Sequence, residues 1–159
     1  ETLFMDYNRE HNLKIKIVRI FNTYGPRMNQ NDGRVVSNFI VSAIQGKPIN
    51  IHGDGLQSRC FCYVSEMVDA IYKMMNKNNF LGPVNIGNPS ELKISDLAKT
   101  ICKLIGTDIN FINEELPIDD PIQRCPDISL AKKILNWEPR INISEGLSLT
   151  TAWFKEAIQ

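Results

Sequence analysis

The chain has 159 residues, with 18 Lys plus Arg against 18 Asp plus Glu and therefore no net charge. That balance supplies no basic field for a nucleic acid or an anionic membrane surface, and 43% hydrophobic with 23% charged residues excludes the disordered, collagenous and coiled-coil classes. The length suits one domain of average size, and no apolar run reaches the roughly 18 to 20 residues of a membrane span, so a cytoplasmic protein is expected.

In chain order, Glu1-Thr2-Leu3 runs straight into Phe4, Met5 and Tyr7 without a capping residue. The pattern resembles the middle of an amphipathic helix and predicts a chain that begins inside a domain. Residues 14–21 (Lys-Ile-Lys-Ile-Val-Arg-Ile-Phe) alternate and then become apolar, which predicts a strand buried on both faces. Residues 22–33 hold Gly25, Pro26, three asparagines and Asp32-Gly33. Turn-rich loops beyond a strand's carboxyl end are where open α/β sheets place ligands. A helix is expected over 34–45, with Val35, Phe39 and Ile40 on one side and Gly46 as its stop.

Ile49-Asn50-Ile51-His52 alternates as a short strand, and Gly53-Asp54-Gly55 predicts a hairpin turn into a second strand over 58–64. Ser65 is the expected cap of a helix to about Asn76, and 83–87 reads as a buried strand closed by Asn88-Pro89. Ile94-Ser95 introduces a helix with Leu97, Ile101, Leu104 and Ile105 at helical spacing, ended by Gly106. Residues 108–113 alternate like an edge strand, and 114–126, with Pro117, Pro121 and Pro126, reads as an ordered loop. Asp127 caps a short helix to about Leu135, Trp137-Glu138-Pro139 turns the chain, and Ser144 caps the last helix. No internal repeat or domain boundary is visible.

Four arginines, Arg27, Arg34, Arg59 and Arg124, stand beside turns or short strands instead of on helix faces. A lone Arg is more often a solvated side chain. Four in segments rich in Gly, Pro or Asn point to an anionic small molecule, since a guanidinium suits bidentate phosphate or carboxylate contacts. Asn22, directly after the apolar strand, offers an amide that can donate to and accept from sugar hydroxyls, or can simply shape a turn. His11 and His52 lack any nucleophile pattern around them. Asp119-Asp120 has no further ligand spacing to support a metal. Cys60, Cys62, Cys102 and Cys125 are too sparse for a disulfide scaffold, and Cys60-Phe61-Cys62 lacks the second ligand pair of a zinc site; all four are expected reduced, and no metal is expected.

The residues then carry a resemblance. Arg19-Ile20-Phe21-Asn22-Thr23-Tyr24-Gly25-Pro26-Arg27 and Asn31-Asp32-Gly33-Arg34-Val35-Val36-Ser37-Asn38-Phe39 resemble extended short-chain dehydrogenases of the NAD-dependent epimerase/dehydratase family that act on nucleotide sugars. Within that family they are most similar to the UDP-glucuronate decarboxylases. The likeness continues through Gly53-Asp54-Gly55, Gln57-Ser58-Arg59, Tyr63-Val64, Val84-Asn85-Ile86-Gly87-Asn88-Pro89, Asp120-Pro121, Arg124, Pro126-Asp127-Ile128 and Trp137-Glu138-Pro139. Cys125 departs from the basic residue the family pattern leads one to expect beside Arg124.

The resemblance implies an α/β fold: the carboxyl-terminal part of a Rossmann-like domain with its small substrate-binding subdomain. The glycine-rich NAD turn and the Tyr-x-x-x-Lys pair of the family are not in these 159 residues, so the expectation is a carboxyl-terminal half, inactive alone. For the intact enzyme it implies bound NAD, a UDP-sugar substrate, a homodimer, and a redox-neutral cycle. C4 of the glucuronate ring is oxidised, CO2 leaves from the β-keto acid, and re-reduction gives UDP-xylose. It implies Arg124 at the sugar carboxylate and the developing enolate, Arg59 at the pyrophosphate, Asn22 at the sugar, Tyr7 and Glu10 on the substrate side, and Ile51 in a segment passing the uracil. Thr23, Asn29 and Arg34 would border the cofactor. Another epimerase or dehydratase, or a non-catalytic nucleotide-sugar binding module, is the alternative.

Overall fold

The computed structural model describes residues 1–108, 110–116, 121 and 123–158. Helix α1 (Thr2–His11) is closed by Asn12 in the left-handed conformation, φ 52°. None of its residues is buried, and Arg19 ties its start to the next strand through two 2.7 Å bonds to the Glu1 carboxylate. That strand, β1 (Val18–Ile20), pairs in parallel with β6 (Val84–Ile86). The expected two-sided strand is a correction: β1 is three residues long, Val18 is only half-buried, and Ile20 is exposed. Its one paired edge among the described residues is the one against β6.

After one residue pair the chain enters β2 (Thr23–Tyr24), which pairs in parallel with β5 (Cys62–Tyr63). Gly25 follows at φ 155°, and a Cβ there would lie 2.9 Å from the Val64 Cβ. The turn therefore admits no side chain where it crosses the start of α3 (Val64–Met75).

The hairpin expected over 49–64 does not form. Gly53 and Gly55 do turn the chain, at φ 66° and 72°, but β3 (Ile49–His52) pairs in parallel with β8 (Phe111–Glu114). Strand β4 (Ser58–Cys60) pairs instead with β7 (Glu91–Lys93), antiparallel, and β9 (Gln123–Arg124), parallel. Asp54 accepts the Leu56 N–H at 2.9 Å, and the Gln57 side chain donates to the His52 carbonyl at 2.7 Å. These local bonds satisfy the groups that a hairpin ladder would have used. The single strand expected over 58–64 also breaks, at buried Phe61, where the chain passes from the β7-β4-β9 sheet to the β2-β5 sheet.

The remaining helices are α2 (Val35–Ile44), α4 (Ile94–Ile105), α5 (Ser129–Leu135) and α6 (Ile143–Ile158). Gly106 ends α4 at φ 79° as its place after the apolar repeat predicts. Ser65 does not cap α3, which starts one residue earlier. Asn142 replaces Ser144 as the cap of α6, its side chain accepting the Glu145 N–H at 2.9 Å. Two apolar clusters hold the elements together. One gathers Tyr24 from β2 with Phe39, Ile40, Leu97, Ile101, Leu147 and Phe154 from α2, α4 and α6. The other gathers Cys62, Met67, Met74, Val84, Ile86 and Trp137 under α3 and α5. Full burial of one such large side chain is worth about 1.5 to 3 kcal/mol, so the walls of any site on α2 and β1 are backed by strongly anchored elements.

Candidate functional site

A cleft of about 1190 Å³ opens where β1 ends. Its floor is Ile20 to Thr23, one wall is the 28–42 segment with α2, and the other wall comes from β3, β4 and β8. The carboxyl end of a parallel strand leaves unpaired backbone groups and a crevice, which is why α/β folds bind ligands there.

Of the nine residues given a role through the resemblance, the structure brings Asn22, Thr23, Arg34 and Arg59 to this cleft, whereas Arg27, the remaining arginine of the four, is exposed and does not line it. Asn22 sits where the chain leaves β1, and its carbonyl accepts the Cys62 N–H at 2.9 Å. That bond fixes the backbone and leaves the side-chain amide for the cleft. Thr23 turns its hydroxyl back to the Phe21 carbonyl at 2.9 Å. Arg34 is exposed, with Nε 3.4 Å from Asp32 Oδ2. Asp32 also accepts the Arg34 N–H at 3.0 Å and the Ser37 hydroxyl at 2.5 Å, so one carboxylate organises the start of α2 and steers the guanidinium. Arg59 is 8% exposed and donates from Nη1 to the Ser58 carbonyl at 2.8 Å.

The other five stand elsewhere. Ile51 lies on the core face of β3, 5% exposed, because successive strand side chains alternate; its neighbours Asn50 and His52 line the cleft. Asn29 accepts the Asn31 N–H at 2.9 Å and shapes the loop, while Asn31 itself lines the cleft. Tyr7 and Glu10 are exposed on α1, the Tyr7 ring 5.4 Å from that of His11. Arg124 is exposed and does not line the cleft. In the register of β4 and β9 it stands directly beside Arg59, and residues paired across parallel strands share a face of the sheet. Two guanidinium-bearing side chains thus share one face of the β7-β4-β9 sheet.

Sequence reasoning missed Lys47 and Gln57, which also line the cleft, and within the segment 49–52 expected to pass the uracil it chose Ile51 where Asn50 lines the cleft. For Asn50 the signal was present in the alternation of β3; Lys47 and Gln57 read as ordinary loop residues. His52 and Glu114 face each other at 3.6 Å across β3 and β8, and Asn50 donates to Glu114 at 2.5 Å. Glu91 on β7 accepts from Ser58 at 2.5 Å and Gln123 at 2.6 Å. Those two bonds, Ser58 first, hold its carboxyl below the ordinary 4.5. Burial pushes the Cys62 thiol up to about 12 and raises the Tyr24 phenol further still. Asp119 and Asp120 lie outside the described residues; among the described residues no group of three His, Cys, Asp or Glu side chains is placed to hold a metal.

A cleft at the end of a parallel strand, lined by amide and guanidinium groups beside apolar side chains, has the chemistry of a small-molecule pocket. The chain belongs to the NAD dependent epimerase/dehydratase family, whose sequence model matches residues 1–87. It is 51% identical over 155 residues to UDP-glucuronic acid decarboxylase 3 of Arabidopsis thaliana, covering 98% of this chain and 45% of that protein. It is 44% identical to UDP-glucuronic acid decarboxylase 1 of Xenopus tropicalis, over 100% of this chain and 38% of that one. The chain thus spans less than half the length of these relatives. Among solved structures it is similar to UDP-glucose 4-epimerase of Thermotoga maritima with UDP-glucose, at TM-score 0.94 and 29% identity over 99% of this chain and 51% of that one. It is also similar to UDP-glucuronic acid 4-epimerase of Bacillus cereus in complex with UDP-glucuronic acid and NAD, at TM-score 0.91 and 27% identity, over 98% and 50% of the two chains. The fold is therefore the Rossmann-like epimerase/dehydratase fold.

Proposed function

We propose that this chain supplies the substrate-binding side of a UDP-glucuronate decarboxylase that uses bound NAD and releases UDP-xylose and CO2. The observation that carries the reading is the 51% identity over nearly the whole chain to a protein named for that activity. The cleft supports it chemically, since it presents amide and guanidinium donors to a ligand that is both a pyrophosphate and a polyol.

In this reading Arg59 binds the pyrophosphate, Asn22 a sugar hydroxyl, and the outward Asn50 and His52 meet the uracil while Ile51 supports them from the core. Tyr7 and Glu10 belong to the sugar side. Arg124, beside Arg59 on the same sheet face, holds the sugar carboxylate and stabilises negative charge as the carboxylate leaves. Thr23 and Arg34 line the cleft, and a hydroxyl and a guanidinium there suit ribose and phosphate oxygens of a dinucleotide; Asn29 shapes the loop between them. When bound, NAD supplies reversible hydride acceptance at the sugar C4. The protein residues bind, orient and balance charge. A homodimeric, cytoplasmic enzyme completes the proposal.

The similarity to two 4-epimerases favours a second reading, in which C4 is oxidised and re-reduced without loss of carbon. Incubating the full-length protein that carries this sequence with UDP-glucuronate separates the two. Release of CO2 with formation of UDP-xylose supports the decarboxylase. UDP-galacturonate without CO2 supports the epimerase, and UDP-sugar binding with neither product leaves a binding module. The 159 residues alone are expected to give no turnover above a protein-free control.

A further inference from the structure

Beyond the arginine pair, the same two strands bring together two thiols. The parallel register of β4 and β9 sets Ser58 beside Gln123 and Arg59 beside Arg124. Cys60 ends β4 and Cys125 directly follows β9, so the same register carried one step further sets the two side by side, near enough for Cys125 to act on the Cys60 thiol. Adjacent strands lie about 4.8 Å apart, inside the Cα separation of about 4.4 to 6.8 Å that a disulfide requires. Both cysteines are free. Cys60 is 1% exposed, whereas Cys125 is exposed and donates to the Pro89 carbonyl at 3.4 Å. Cys62 and Cys102 are buried in the two separate apolar clusters. No step of the proposed reaction uses either Cys60 or Cys125.

We propose that Cys60 and Cys125 form a reversible oxidation site, closing to a disulfide that clamps β9 to β4 next to Arg59 and Arg124. The oxidant is a small disulfide. The Cys125 thiolate attacks one of its sulfurs, displacing a thiolate and leaving a mixed disulfide on Cys125. The Cys60 sulfur, having lost its proton, then attacks the Cys125 sulfur and displaces the second thiolate. Two cysteines are oxidised, one external disulfide is reduced to two thiols, and the two protons released by the cysteines end on those thiols. Exposure makes Cys125 the point of entry. Burial, and after it Cys125 just past β9 and Glu91 on β7, push the Cys60 thiol up to about 12, so the second step is the slow one. The clamp matters because β9 is two residues long and all of it is exposed. In the reduced chain its attachment rests on the short ladder to β4 and on the Gln123 bond to Glu91.

The test holds the full chain in mixtures of reduced and oxidised glutathione, quenches with an alkylating agent, and identifies linked peptides by mass spectrometry. The expected result is a single linked pair carrying Cys60 and Cys125, reversed by dithiothreitol. Amide exchange at Gln123 and Arg124 should then slow about threefold or more on closure. Cys125→Ser should give neither the link nor the slowing. Cys60→Ala should stop at a glutathione adduct on Cys125. A persistent glutathione adduct in the unmodified chain, a link to Cys62 or Cys102, or exchange at β9 that is equal in the two states overturns the proposal. None of these readouts depends on what the cleft binds.

Discussion

Replacing Gly146 with Ala tests how tightly α6 is seated against the strand that carries the site. Gly146 is a buried helical residue. A Cβ there would fall well inside contact with the Tyr24 hydroxyl, 2.8 Å from the ring carbon that bears it and 3.0 Å from Tyr63 Cδ2. In an unhindered helix the change would stabilise by about 1 kcal/mol, since Gly is that much poorer than Ala in a helix interior. Overpacking a close-packed core costs about 1 to 3 kcal/mol. Tyr24 is 1% exposed and wedged edge-on against Phe61 and Tyr63, so it cannot swing away and the upper part of that range applies. The expected net loss is about 2 kcal/mol, or about 4 to 8 °C in Tm for a chain of this size. Tyr24→Phe removes the nearest atom but not the ring carbon, so in that background the loss should shrink by about 1 kcal/mol. A double-mutant cycle by urea denaturation reads both numbers. If Gly146→Ala stabilised the unmodified chain by the full helix-propensity gain, the packing argument would be wrong.

In the intact enzyme, Arg59→Ala should raise the dissociation constants of UDP and UDP-glucuronate together by about tenfold or more, as loss of a charge-assisted contact does. Arg124→Ala should instead lower the single-turnover rate by about a hundredfold with UDP affinity kept; the reverse pattern would exchange the two assignments. Asp32→Ala should cost about 1 kcal/mol in denaturation midpoint analysis, because the start of α2 loses an acceptor for the Arg34 N–H and the Ser37 hydroxyl, and Asp32→Asn should retain most of that stability. Glu91 has its carboxyl held below 4.5 in the folded chain. Its contribution is therefore complete above that value and is lost as the pH falls through the lowered one. Protection of the Gln123 amide, taken relative to its unfolded exchange rate at each pH, should fall over that acid window, and Glu91→Gln should abolish that fall.

Much of the fold was readable where local chemistry decides it. The apolar repeat of α4 with Gly106 behind it and the alternation of Ile49 to His52 each specify their own element. Pairing was not readable. Gly53-Asp54-Gly55 is a competent turn, yet which strand β3 meets depends on Phe111 to Glu114, far along the chain. Strands β7 and β9 escaped notice because Glu91, Lys93, Gln123 and Arg124 are polar and exposed, so neither carries an apolar face to announce it. At the site, Asn22, Arg34 and Arg59 stood out by residue type beside turns and Thr23 through the family resemblance, and the cleft holds all four. Lys47 and Gln57 have side chains whose direction is set only by the tertiary arrangement. The pleat of β3 could have exchanged Ile51 for its neighbours from the start.

The absence of a hairpin among the described strands bears on how the chain acquires its structure. Even the nearest strand partners, Cys60 and Glu91, are separated by β5, the whole of α3, β6 and the turns between them, and β1 must wait for β6 and β3 for β8. No β-ladder can then form by zipping outward from a two-residue turn. The entropy of closing each long loop has to be met before any ladder bond is gained, which places the search time in chain diffusion and makes for a slow, late-forming sheet. Helices α3 and α4, whose bonds are all local, would be the earliest ordered parts, and the cleft would be among the last, since its walls are drawn from segments that meet only when the sheets are complete.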